Sequence, residues 1–169
     1  MIGRMVLKMT EQPSVSDNKP RYNATQTSKT AAAFRKWIPV IQDQDLPEDV
    51  HMAARGQLLD LTANIRNYYV MRHYKRYAAP YFDYDPLKIS LEECQDAADE
   101  GIAAVFQSFR PEYLDRDDAE VVKRFRALCP IRIKEFLLRK IEVSHGCTRY
   151  ETLMLLYLVK KQTRPAVNP

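Results

Sequence analysis

From residue 46 onward, apolar residues recur every three to four positions, the spacing of an amphipathic α-helix. The first such stretch opens on Pro47, which suits a first helical turn because it lacks the backbone N–H that would have no partner there. Its apolar positions are Val50, Leu58, Leu61, Ile65, Tyr68 and Met71. Pro80 ends the regular pattern. The spacing therefore predicts one long helix over residues 46–79.

Capping signals mark two later helices. Ser90 and Glu93 form a capping box, in which each side chain accepts a hydrogen bond from the backbone N–H of the other, so a helix is predicted to begin there. Its apolar stripe is Cys94, Ala98, Ile102, Val105 and Phe109. Pro111 is predicted to stop it. Thr148 and Glu151 form a second capping box, which predicts a last helix near the C-terminus.

A further helix is predicted between these two. It follows Pro111 or begins near Asp115, where four acidic side chains suit the positive end of a helix. Pro130 lies inside the pattern and is predicted to break or kink it, after which apolar residues continue to a stop at Gly146. Residues 81–85 have no helical period and indicate an extended linker. The predicted fold is therefore all-α, with about five helices and proline-punctuated connections.

The N-terminal 45 residues are predicted to differ from the rest. Residues 1–30 contain five basic residues, two acidic ones and seven serines and threonines, a balance typical of an organellar targeting segment or a flexible arm. Pro13 and Pro20 interrupt any long amphipathic helix there, and no secretory apolar segment is present. We therefore expect an arm or targeting segment over residues 1–45 and a single helical domain over 46–165.

Composition excludes several classes of protein. With 46% hydrophobic and 28% charged residues among 169, the chain is not of a disordered or fibrous type. No apolar run approaches the ~20 residues of a bilayer-spanning helix. Three cysteines without a C-x-x-C pair argue against a disulfide framework or zinc site and favour a reducing compartment. Four glycines against ten prolines leave little room for phosphate-cradling loops.

The sequence gives no sign of a catalytic or metal site. The acidic residues between Asp83 and Glu100 lack the spacing and central glycine of a calcium loop, so an exposed acidic face is the favoured interpretation. His51, His73 and His145 lie far apart and have no nucleophile motif beside them. We therefore expect no enzyme activity, no cofactor and no bound metal.

Aromatic and basic residues instead point to binding. Ten tyrosines are more than a small core can use, because a buried phenol needs a hydrogen-bond partner. Tyrosine and arginine are enriched in protein interfaces. Seven basic residues also cluster in one part of the sequence: Lys123, Arg124, Arg126, Arg132, Lys134, Arg139 and Lys140. Such surfaces suit acidic protein subunits, anionic lipid headgroups or RNA, and the mild net charge of +4 favours protein or lipid.

Six short tracts carry a family resemblance. They are residues 65–69 (IRNYY), 81–85 (YFDYD), 110–114 (RPEYL, with Arg116), 123–128 (KRFRAL), 137–140 (LLRK) and 150–159. In this order, residues 65–160 resemble the small, matrix-facing, cytochrome b-binding subunit of ubiquinol:cytochrome c reductase, respiratory complex III. The chain departs from that family in the 64 residues before Ile65, in Pro130 within the basic helix, and in Leu138 where the family tends to have proline.

The resemblance implies a non-catalytic accessory subunit on the matrix side of the mitochondrial inner membrane. Such a subunit braces cytochrome b and the core subunits, and carries no haem, metal or quinone of its own. Partner contacts are then expected in or beside the matching tracts, at Arg66, Tyr68, Tyr69, Arg72, Tyr81, Asp83, Asp85, Arg116, Lys123 and Arg126. Anionic inner-membrane lipids are a further candidate partner.

A mitochondrial ribosomal protein is the competing interpretation, since it would carry the same arm, charge and aromatic residues and would contact RNA. Salt distinguishes the two, because phosphate contacts weaken steeply as salt rises whereas a desolvated protein interface does not. A small soluble enzyme is a third alternative, and it would require a clustered site that the sequence does not show.

Overall fold

The computed structural model describes residues 22–77 and 89–162, and these two ranges contain seven helices and no β-strand. The all-α prediction is thereby confirmed. The helices are α1 (Ala24–Gln42), α2 (Glu48–Leu61), α3 (Ala63–Tyr77), α4 (Leu91–Ser108), α5 (Pro111–Leu114), α6 (Asp118–His145) and α7 (Arg149–Gln162).

Helix ends fall where the local sequence signals placed them. The Glu93 amide donates to Ser90 Oγ at 3.0 Å and the Ser90 amide donates to Glu93 Oε2 at 2.8 Å, which completes the capping box of α4. At α7 the Thr148 amide donates to Glu151 Oε2 at 2.7 Å. Gly146 ends α6 with φ of 60°, a left-handed conformation that glycine adopts without steric cost. Both predicted capping boxes and the Gly146 stop are confirmed.

Helix α1 corrects the prediction of an arm over residues 1–45. Residues 24–42 form a 19-residue helix whose Phe34 and Ile38 are fully buried in the core. Its buried face also includes Thr30 and Ala31, so the apolar stripe is interrupted by small and polar residues. The helix contains Pro39 as well. These features obscure the three-to-four-residue spacing of apolar side chains by which a helix is predicted. Packing against the other helices nevertheless stabilises α1. Residues 1–21 lie outside the described part.

The predicted single helix over residues 46–79 is two helices. Thr62 separates α2 from α3, and its hydroxyl donates to the Leu58 carbonyl at 2.8 Å. A threonine side chain that bonds a carbonyl of the preceding turn competes with the regular backbone ladder. Apolar periodicity continues through Ile65 on the far side, so the pattern alone did not reveal the interruption.

Pro130 does not break α6. The helix runs without interruption through Pro130 for 28 residues, so the predicted break is wrong. Buried Cys129 and Ile133 on either side fix both halves of the helix to the core, which offsets the backbone hydrogen bond that proline cannot donate. The two alternative starts predicted for this region both exist, because Pro111 opens the short α5 and Asp117 caps α6.

The core lies between α4 and α6, with α1 across them. Three phenylalanines from these helices meet at its centre. The Phe106 and Phe125 rings stack with centroids 5.1 Å apart and planes 7° from parallel. Phe34 brings its ring centroid to 4.6 Å from that of Phe125. The helices α4 and α6 approach each other closely at Gly101 and Ile133.

Two polar side chains fix α1 to the ends of other helices. Arg35 donates to the Leu114 carbonyl at 2.8 Å, the Arg116 carbonyl at 2.7 Å and the Asp118 carboxylate at 2.7 Å. The hydrogen bond from Arg35 holds the pKa of Asp118 below its usual value. Gln42 Nε2 donates to the Phe106 and Phe109 carbonyls, both at 2.8 Å. Carbonyls at helix ends that lack helical partners are thus satisfied from α1.

Arg35→Ala should lower the free energy of unfolding by about 1–2 kcal/mol, counting only the two hydrogen bonds to carbonyls and reducing them for solvent exposure. Urea denaturation followed by far-ultraviolet circular dichroism measures the change. Arg35→Lys is the control, since it keeps the charge but has no planar fork to reach three acceptors, and an intermediate loss is expected. Equal stability of Arg35→Ala and the wild type would show that these bonds contribute nothing.

Candidate partner-binding surface

The predicted partner residues lie in several places. Arg66 on α3 forms an ion pair with Asp99 on α4, with Nη1 and Oδ2 3.0 Å apart and both side chains about three-quarters buried. Its charge is therefore neutralised within the fold, where it joins two helices. Arg116 is exposed in the turn before α6. Tyr81, Asp83 and Asp85 lie outside the described residues.

A second group from the predicted set does come together. On α3, Tyr68 places its ring edge against Tyr69, with centroids 5.0 Å apart. Arg72, one turn further, donates to the Tyr68 hydroxyl at 3.3 Å. Tyr69 is buried whereas Tyr68 is half-buried and Arg72 exposed. Tyr69 thus packs inside the fold while its two neighbours remain available to a partner.

Arg126 links this group to the start of α1. Its guanidinium carbon lies 5.3 Å from the centroid of the Tyr22 ring, within the range of a cation–π contact. Tyr22 in turn donates from its hydroxyl to Asn64 Oδ1 at 3.1 Å. Three parts of the chain therefore meet here: Tyr22 just before the Asn23 cap of α1, the first turn of α3, and the first half of α6. We call Tyr22, Asn64, Lys123 and Arg126 the Tyr22–Arg126 surface.

Both tyrosines near Arg126 remain protonated. Burial raises the pKa of Tyr22, against the lowering effects of the Asn64 hydrogen bond and the Arg126 charge. Burial also raises the pKa of Tyr69, against the charges of Arg126 and Arg72. Because the ordinary pKa of tyrosine is already near 10, both phenols are neutral hydrogen-bonding groups at physiological pH.

An open cleft adjoins this surface. Its volume is about 400 Å³, and its lining residues are Tyr22, Thr27, Ala119, Val122, Lys123, Arg126 and Ala127. The lining includes two cations and no carboxylate, although Glu120 outside it bonds the Lys123 ammonium at 3.3 Å. A cleft with an aromatic face, apolar floor and cationic rim suits an acidic or aromatic side chain of a partner.

The described residues contain no group of three or more histidine, cysteine or acidic residues placed to hold a metal ion. Cys129 near the surface is buried, and burial raises the pKa of its thiol far above the usual value, so it is a poor nucleophile.

Tyr22 and Asn64 belong to this surface but were absent from the predicted set. Tyr22 was assigned to the N-terminal arm, and only the packing of α1 on α6 brings it to Arg126. A tyrosine immediately before the Asn23 cap of a helix was the one local signal available.

No protein-family model matches the chain, and neither does any curated protein or solved structure. Among the described helices, none combines the length and the apolar character needed to cross a bilayer.

Proposed function

We propose that the chain is a non-catalytic accessory subunit of mitochondrial ubiquinol:cytochrome c reductase, which braces cytochrome b and the core subunits on the matrix side. The order of the six matching tracts supports this assignment. The observation that carries it is the placement of residues 123–128 on α6. Phe125 enters the core, whereas Lys123 and Arg126 line the cleft. The tract thus anchors the fold and presents two cations to a partner.

The geometry of the surface favours a protein partner. The Arg126 guanidinium already lies over the Tyr22 ring, so less side-chain entropy is lost when Arg126 binds a partner. Arginine and tyrosine held in this way are typical of the residues that dominate binding energy in protein interfaces. The subunit role therefore rests on a few ordered side chains and needs no reactive group.

Arg126→Glu should reduce incorporation into the complex about tenfold or more, because truncation or reversal of a buried interfacial charge costs about 2–5 kcal/mol. The measurement is a pull-down of C-terminally tagged protein from detergent-solubilised mitochondria, with a reduced-minus-oxidised haem spectrum of the product. Arg124→Glu is the matched control: it makes the same charge change two residues away, where Arg124 lies near the Tyr113 ring and pairs with Glu120.

Normal incorporation of Arg126→Glu, or equal loss in both variants, would contradict the proposed role of this surface. A preparation that lacks haem but contains RNA, lost as salt is raised, would instead identify a ribosomal protein. Circular dichroism of both purified variants separates an assembly defect from a folding defect.

A further inference from the structure

The last helix presents an apolar stripe to solvent. Tyr150, Leu153, Met154 and Tyr157 are exposed by 72%, 45%, 42% and 59%. Their spacing of three, four and seven residues from the first places them on one face of α7. Thr152, which is buried, lies on the opposite face toward the rest of the fold. The stripe is therefore a continuous apolar surface along α7 rather than a set of scattered exposed residues.

A further exposed apolar side chain lies at the end of α6. Val143, in the last turn of α6, is 82% exposed. Its neighbour Glu142 forms an ion pair with Arg149, with Oε1 and Nε 2.7 Å apart, which joins the end of α6 to the first turn of α7. Among the described elements α7 packs against α6 and α3, and neither covers the stripe. An exposed apolar patch of this kind marks an interaction surface.

Charge distribution along the chain indicates what that surface meets. Residues 139–164 contain six basic residues, Arg139, Lys140, Arg149, Lys160, Lys161 and Arg164, against two acidic ones, Glu142 and Glu151. That excess equals the net charge of +4 of the entire chain, so the remaining residues are balanced. Two of these cations form ion pairs in the fold, Arg139 with Glu135 and Arg149 with Glu142, and the segment around the apolar stripe remains net positive when Glu135 is included.

We propose that the α7 stripe binds the headgroup region of an anionic phospholipid surface. An amphipathic helix with basic flanks inserts its apolar side chains at the boundary between headgroups and acyl chains, and the cations interact with the lipid phosphates. Tyr150 and Tyr157 at the two ends of the stripe suit that boundary, where tyrosine is enriched. A second copy of the chain would instead bring two positively charged segments together.

The test uses the purified full-length chain and sedimentation with two kinds of vesicle, one of phosphatidylcholine alone and one of phosphatidylcholine with about a third phosphatidylglycerol, an anionic lipid. The wild type should bind the anionic vesicles and bind the neutral ones weakly. Met154→Glu should weaken binding to anionic vesicles about tenfold, because a carboxylate replaces an inserted apolar side chain. Met52→Glu is the matched control: Met52 on α2 is 61% exposed, and the two variants have identical composition and net charge.

Three results would overturn the proposal. They are wild-type binding no stronger to anionic than to neutral vesicles, equal binding by the two methionine variants, and a wild-type dimer that Met154→Glu dissociates without any lipid binding. The last result would show that a second copy covers the stripe.

The inference is independent of the proposed subunit role. Residue 126 belongs to the Tyr22–Arg126 surface and not to the α7 stripe. The Arg126→Glu variant should therefore bind vesicles as the wild type does, apart from a small decrease caused by its lower net charge. Vesicle binding by a chain that does not enter the complex would leave this inference standing and refute the proposed function. Incorporation into the complex without vesicle binding would refute this inference and leave the proposed function standing.

Discussion

Phe125→Ala should lower the free energy of unfolding by about 3–5 kcal/mol, the usual cost of truncating a fully buried phenylalanine. The Phe125 ring touches the rings of Phe34 and Phe106, with centroids 4.6 Å and 5.1 Å away. Its loss removes apolar burial and three aromatic pairs, with Phe34 of α1, Phe106 of α4 and Phe109 just after α4. Because the Phe125 ring lies against both α1 and α4, the cavity cannot close without moving one of these helices.

Urea denaturation monitored by the helical circular dichroism signal measures this loss. Ile131→Ala is the control on the same helix, since Ile131 is largely exposed and its truncation should change stability by less than about 0.5 kcal/mol. A loss below about 1 kcal/mol for Phe125→Ala would contradict the packing described, because it falls outside the range for truncating a large core residue.

Gly101→Ala should destabilise the protein by about 1–3 kcal/mol, although alanine is the better helix former. A Cβ atom at Gly101 would lie 2.8 Å from Ile133 Cα and 2.9 Å from the Ile133 nitrogen. Both atoms belong to the backbone of α6, so no side-chain rotation relieves the contact. The helices α4 and α6 must separate, and the surrounding core loses contacts with them.

Gly56→Ala provides the opposite expectation from the same chemical change. Nothing lies within 4 Å of a Cβ atom at Gly56, which is exposed inside α2. Helix propensity then acts alone, and a gain of about 0.5–1 kcal/mol is expected. Thermal denaturation of the two variants in parallel measures the difference, and equal shifts of the two midpoints would exclude the close approach of α4 and α6.

Predictions from the sequence succeeded where the determining interaction is local. The Ser90 and Thr148 caps act on amides three residues away, so the sequence around them is sufficient. The predictions from the sequence failed where packing between distant parts of the chain determines the structure. Helix α1 is stabilised by α4 and α6, and the break at Thr62 depends on one side-chain hydrogen bond that periodicity does not report.

The same distinction holds for the candidate surface. Residue type predicted Arg72 and Arg126 as partner contacts, and in the structure Arg72 is exposed and Arg126 is half-buried. Residue type could not show that Arg66 pairs with Asp99, which is 33 positions away. Nor could it show that Tyr22 reaches Arg126, since that contact requires α1 to be folded against α6.

The hydrogen bonds of Arg35 also bear on the order of folding. They join α1 to residues 79 to 83 positions later in the chain. A chain synthesised from its N-terminus can pack α1 against α2 early, but Phe34 of α1 lacks its Phe125 partner until that part of α6 has emerged. Contacts of such long sequence separation form late and slowly. The nascent protein should consequently be a substrate for chaperones that hold apolar helices until synthesis is nearly complete.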